Sequence, residues 1–127
     1  MDNGLTGSIR PRKTHELKTW PEFFEQTRSG RKKFELRRND RDFRVEDELL
    51  LKEFDPVVLE DNLPQAHRTE EDMALAYEKA YTGRELLVRV DYLMKAEDIT
   101  FDSFLGSPVQ ACYVIMSISL CPMEHGA

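Results

Sequence analysis

The sequence predicts an α+β fold: a small mixed β-barrel with one helix after its first strand and a helical insert later in the chain. Three observations carry this. At 127 residues the chain has the size of one domain. Its apolar residues fall into five strand-like runs, with a helical run between the first and second. The resulting order of strand, helix, strand, strand, insert, strand, strand lacks the regular strand–helix alternation of a parallel sheet. One domain is expected over residues 14–121, with a flexible tail at 1–13, an insert at 56–81 and a short tail at 122–127.

The elements follow in chain order. Thr14 to Trp20 reads as a strand with His15 and Leu17 on one face and Glu16 and Lys18 on the other. Pro21 opens a helix, since proline suits the first turn and Glu22 and Glu25 suit its positive end. Phe23, Phe24 and Thr27 are expected on its buried side, and Gly30 ends it in a left-handed conformation. Arg31 to Arg37 is the second strand and Asn39 to Arg44 a polar turn. Val45 to Phe54, with Leu49, Leu50 and Leu51 at its centre, is the third strand, ended by Asp55-Pro56. In the insert, Thr69 and Asp72 resemble a capping pair, and Met73, Ala76, Tyr77 and Ala80 form an apolar stripe, so a helix is predicted over Glu70 to Ala80. Thr82-Gly83 is read as a turn. Glu85 to Met94 alternates, with Leu86, Val88 and Val90 inward. Lys95 to Pro108 is a loop, and Ala111 to Leu120, the most apolar run, is a central strand.

Composition excludes several classes. With 40% hydrophobic and 33% charged residues, the chain is too apolar for disorder and too charged for a membrane protein. No apolar run approaches the ~20 residues needed to cross a bilayer, and Met1 to Lys13 lacks the apolar middle of a secretory signal. A cytoplasmic location with no membrane partner is therefore expected. Cys112 and Cys121 lie on one predicted strand, ~30 Å apart at ~3.3 Å per residue, too far for a disulfide. With no histidine cluster beside them they make a poor zinc site, and no metal or cofactor is expected. Charge is unevenly spread. Residues 1–44 carry 12 Lys/Arg against 7 Asp/Glu, whereas residues 45–127 carry 6 against 17. A basic patch on such an acidic body still attracts a polyanion locally, because charges beyond ~8–10 Å are screened at physiological salt.

The segment Gly30-Arg31-Lys32-Lys33-Phe34-Glu35-Leu36-Arg37 reads G-x-K-x-x-E-x-R. It resembles the signature of the ASCH domains, a branch of the PUA-like superfamily, and it falls after the first helix, as in that family. His15 to Lys18, Pro21 to Phe24, Asn39 to Arg41 and the strand after Tyr81 to Arg84 are similar to a small branch of these proteins common in bacterial and phage genomes. Together these segments span about two-thirds of the chain. The resemblance implies a PUA-like barrel with a cleft beside the first helix and RNA or modified nucleosides as ligands. In one branch that deacylates acetylated cytidine, the motif lysine works with a threonine; here that position holds Glu35, which cannot act as the same nucleophile.

Lys32, Glu35 and Arg37 put one carboxylate between two cations. If they share a cleft, Glu35 would orient Arg37, whose two-donor fork grips a phosphate or carboxylate. Alternation puts Lys33, Glu35 and Arg37 on one face and Phe34 and Leu36 toward the core. Lys32 falls on the core side of that count and joins the cleft only from the preceding loop or a bulge. Lys18 is a further cleft candidate, and Arg41, with Arg28, Arg31, Arg38 and Arg44, would form a basic rim. Trp20 would stack a base or else seal the end of the core. His15 reads as a structural histidine.

Three functions fit these residues. The first is a module binding RNA, single-stranded nucleic acid or a nucleotide through Lys18, Trp20, Lys32, Glu35, Arg37 and Arg41. The second is a small hydrolase acting on a modified nucleoside or RNA, with Lys32 and Glu35 as the catalytic pair. The third is an inhibitor or adaptor that binds a protein through the acidic 45–127 surface.

Overall fold

The computed structural model describes residues 10–63, 69–96 and 112–122. Eight elements appear in order: β1 (Thr14–Thr19), α1 (Pro21–Arg28), β2 (Phe34–Arg38), β3 (Glu48–Phe54), α2 (Pro56–Asn62), α3 (Glu70–Ala80), β4 (Tyr81–Lys95) and β5 (Tyr113–Leu120). The fold is mixed α+β. Its five strands form one sheet in the order β1-β3-β4-β5-β2, with β1 parallel to β3 and every other pair antiparallel.

The two edge strands are β1 and β2. The sheet curls until they face each other at one end, where the Arg37 guanidinium on β2 donates to the Lys18 carbonyl on β1 at 3.1 Å. They are not paired by backbone, so the barrel is half closed. The gap has a defined chemistry. Ile118 N donates to the Lys33 carbonyl and Asn39 N to the Cys112 carbonyl. Odd-numbered residues of β2 therefore bond to β5, and Phe34, Leu36 and Arg38 turn their amides to the open edge.

The core fills the concave side. Leu17, Phe24, Phe43, Leu49, Leu51, Val88, Val90, Val114, Met116 and Ile118 pack together there, with α1 laid across it through Phe24. Burial of aliphatic and aromatic side chains at roughly 25 cal/mol per Å² is the main favourable term. His15 and Leu17 lie inward on β1 as its sequence requires; on β4 Val88 and Val90 are buried and Leu86 partly so, before a register shift at Val90–Tyr92 ends the alternation. α3 spans Glu70–Ala80 as predicted, and its capping box is formed: Thr69 Oγ1 accepts from Asp72 N at 3.0 Å, while Asp72 Oδ2 accepts from Thr69 N at 3.3 Å.

Several expectations are corrected. Residues 10–13 are tied to the body, because the Arg10 guanidinium pairs with the buried Asp47 carboxylate; the expected tail at 1–9 lies outside the described residues, as do most of the 95–108 loop and of the C-terminal tail. The third strand begins at Glu48 rather than Val45, since Glu46 takes φ 81° and breaks the extended run. Thr82-Gly83 is not a turn between elements. It lies inside β4, where four steps from Tyr81 to Glu85 match two from Phe54 back to Lys52, and Gly83 at φ 95° absorbs the bulge. The insert holds a second helix, α2, begun by an Asp-Pro pair in which Asp55 accepts from Val57 N at 2.9 Å. β5 is an inner strand, but the middle of the sheet is β4. On α1, Phe24 and Thr27 are buried while Phe23 is exposed.

Candidate functional site

The half-closed barrel leaves a recess of about 450 Å³ between the free edges of β1 and β2, under the first turn of α1. Lys18, Thr19, Trp20, Phe23, Lys32, Phe34, Glu35, Leu36 and Arg37 line it. The local sequence delivers each group. Trp20 is the residue before Pro21, so its extended backbone (ψ 152°) ends β1 and starts α1 at the rim. After the helix, Gly30 at φ 88° reverses the chain, and the Gln26 carbonyl accepts from both Arg31 N and Lys32 N. This places Lys32 in the loop just ahead of β2, the condition under which it could join the cleft.

Glu35 is the centre of the floor and only 3% exposed. Its Oε2 accepts from Lys32 Nζ at 3.0 Å and its Oε1 from Arg37 Nε at 2.8 Å. A buried carboxylate needs such partners. Lys32 Nζ also donates to the Phe34 carbonyl at 2.6 Å, at the open edge of β2, and lies 4.8 Å from the centre of the Phe34 ring. Arg37 Nη2 donates to the Lys18 carbonyl and to Thr19 Oγ1 at 3.2 Å, which bridges the two edges. Arg37 Nη1 has no hydrogen-bond partner among the described residues. Two cations against one carboxylate leave the floor one positive charge in excess.

Above this floor the walls are apolar. Trp20, Phe23, Phe34 and Leu36 are large hydrophobic side chains, each about half exposed. An excess cation with unspent donors, beneath flat apolar surfaces, suits a ligand that is planar at one end and anionic or carbonyl-bearing at the other.

The faces of β2 are the reverse of the sequence expectation. Glu35 points inward and Phe34 and Leu36 outward. Polarity alone misleads here because an edge strand beside an open recess buries its ion pair and wets its apolar residues. Of the predicted residues, Lys18, Trp20, Lys32, Glu35 and Arg37 come together. Arg41 does not. Its guanidinium donates to the Glu16 carbonyl, further along the β1 edge. Lys18 contributes to the wall, but its ammonium stands 4.5 Å from the Phe54 ring centre and 4.9 Å from that of Tyr77. The basic rim is partly spent: Arg28 pairs with Glu25, and Arg44 with Asp42. The Arg28 and Arg84 hydrogen bonds hold the Glu25 carboxyl down to about 2. β1 faces the motif strand across the gap and is not hydrogen-bonded to it as a neighbour. Thr19, Phe23, Phe34 and Leu36 were not among the sequence candidates; their common signal is that each lies within four residues of Trp20, Lys32 or Arg37.

Sequence reasoning also missed a second polar centre at the far end of β1. The Asp47 carboxylate accepts from Arg10 twice, from His15 Nε2 at 2.8 Å, and from the backbone N–H groups of Lys13 and Arg44. His15 is buried there, edge-on to Phe43 with ring centres 4.8 Å apart, as a structural histidine would be. Burial pushes the Asp47 carboxyl up, but the hydrogen bonds from Arg10, His15 and the two amides outweigh it and hold the group well below the usual carboxylate range.

Among the described residues, no helix is long and apolar enough to cross a membrane. A family model described as "Domain of unknown function (DUF3850)" matches residues 14–118, which takes in β1 through most of β5 and all of the recess. No curated protein gives a significant match to the chain.

Proposed function

The chain belongs to this DUF3850 family, and on that footing we propose that it is an ASCH-like member of the PUA-like superfamily that binds single-stranded RNA or DNA, or a nucleotide, in the recess between β1 and β2. The half-barrel with a helix after its first strand and the G-x-K-x-x-E-x-R segment at the recess support the superfamily reading. One observation carries the ligand: an Arg37 with an unspent donor nitrogen sits on the floor of a recess walled by Trp20, Phe23 and Phe34. Aromatic side chains stack any base through its π-face, and a guanidinium takes a phosphate or a base carbonyl.

Glu35 serves as a strut in this reading. Both of its oxygens are engaged by cations, which favours positioning of Lys32 and Arg37 over proton transfer by the carboxylate itself. Hydrolysis by Lys32 and Glu35 ranks behind binding for that reason.

Trp20 is the only tryptophan in the chain, so its fluorescence reports the recess alone. Titration with short RNA and single-stranded DNA at low salt should quench it saturably. Affinity should fall as salt rises, with a log–log slope of roughly −1, about one to two phosphates at −0.7 each. Arg37→Ala should weaken binding by about tenfold or more. No change in Trp20 emission with any oligonucleotide at low salt would rule the proposal out.

A further inference from the structure

Backbone as well as side chains borders the gap between the two free edges. On β2 the odd-numbered residues bond to β5, so Phe34, Leu36 and Arg38 turn both their N–H and C=O groups to the gap. On β1, Glu48 N donates to the Lys13 carbonyl, which sets the odd-numbered residues against β3 and turns the groups of Glu16 and Lys18 to the gap. The carbonyls around Leu36 are spent. That of Phe34 accepts from Lys32 Nζ and that of Arg38 from Asp40 N, while those of Lys18 and Glu16 accept from Arg37 and Arg41. Leu36 differs. It lines the recess, and among the described residues neither its N–H nor its C=O has a partner.

Resting on the binding function proposed above, we infer that Leu36 is the base-reading position of the recess: its backbone N–H and C=O pair with the hydrogen-bonding edge of one nucleobase. An extended residue holds these two groups side by side, so it matches a ligand edge with a donor next to an acceptor. Uracil and guanine present a ring N–H beside a carbonyl; adenine and cytosine present a ring nitrogen beside an amino group. A purely apolar occupant would strip water from both backbone groups and leave them unpaired, which is costly. An added peptide strand fits poorly too. It needs free donors and acceptors in alternation along the edge, and the acceptors of Phe34 and Arg38 are taken. The recess volume of about 450 Å³ is that of a small-molecule site. Phe34 on the same edge, with Trp20 and Phe23, offers apolar surface to the faces of the base. Every standard base carries such an edge, so Leu36 demands a base without choosing among them.

The test is a Trp20 fluorescence titration with three forms of pentauridylate: unmodified, methylated at N3 of every base, and methylated at C5 of every base. The N3 methyl removes the ring donor and blocks the edge; the C5 methyl adds the same bulk elsewhere. The unmodified and C5-methyl forms should bind alike, and the N3-methyl form at least about tenfold more weakly. Leu36→Pro deletes the amide hydrogen at a position without a ladder bond, which an edge strand tolerates, whereas Leu36→Ala keeps it. Leu36→Pro should bind pentauridylate several-fold more weakly than Leu36→Ala, and the two variants should bind the N3-methyl form equally. Should Leu36→Pro not fold, the three ligands on the wild-type chain decide. Equal affinity for all three forms, or equal pentauridylate affinity in the two folded variants, overturns the role of Leu36 while the recess stands. Failure of all three to bind overturns the recess and the base reading alike.

Discussion

Two buried carboxylates stand near opposite ends of β1, and they are built for different purposes. Asp47 accepts five hydrogen bonds and sits sealed beside Phe43 and His15. Glu35 is almost as buried but takes two, both from cations that line an open recess. The closed cluster ties the chain's first described residues and the Asp42–Glu46 turn to the sheet. The open one holds Lys32 and Arg37 where a ligand can reach them. Burial of a charge is therefore common to both clusters; what sets Glu35 apart is the accessible, apolar-walled recess beside it.

The comparison breaks most sharply at Asp47. Asp47→Ala leaves Arg10, His15 and two backbone amides without their acceptor, and should cost about 3–5 kcal/mol of stability in denaturant unfolding. Ligand quenching of Trp20 should survive in whatever fraction remains folded. The sign of the acid response follows from the same carboxylate. Its folded pKa lies below its unfolded value of about 3.9, so its contribution is fully present above that value and is lost as pH falls through the folded one. Stability measured from pH 6 downward should therefore decline below about pH 4, and the decline should be shallower in Asp47→Asn. An acid limb identical in the two proteins would assign it to other groups.

At the open cluster the effect should fall on binding. Trp20 is half exposed, so Trp20→Ala should cost little stability but about 1–3 kcal/mol of oligonucleotide affinity. Anisotropy of a labelled oligonucleotide gives the measurement, since the variant has lost its own signal. A large fall in stability with unchanged affinity would make Trp20 a core plug, as the closed centre is.

Much of the fold was legible because its cues are local. Period-two burial on β1 and β4, proline at the start of α1, Gly30 at its end and the capping box of α3 each follow from residues a few positions apart. What escaped depends on contacts distant in sequence. Asp47 looked like one acid among several until the fold brought Arg10 and His15, more than thirty residues away, onto it. Phe34 and Leu36 looked like core because apolar residues usually are. Only the curl of the sheet, which leaves β2 without a neighbour on one side, turns them into walls. α2 had a local cue, Asp55-Pro56, that served equally well as the end of β3.

The most direct measurement is photocrosslinking of a short single-stranded RNA to the chain, with mass spectrometry to locate the attached residues. Crosslinks at Trp20, Phe23 or Phe34, abolished by excess unlabelled RNA and reduced in Arg37→Ala, are the predicted result. Crosslinks confined to residues outside the β1–β2 recess, undiminished in Arg37→Ala, would contradict it.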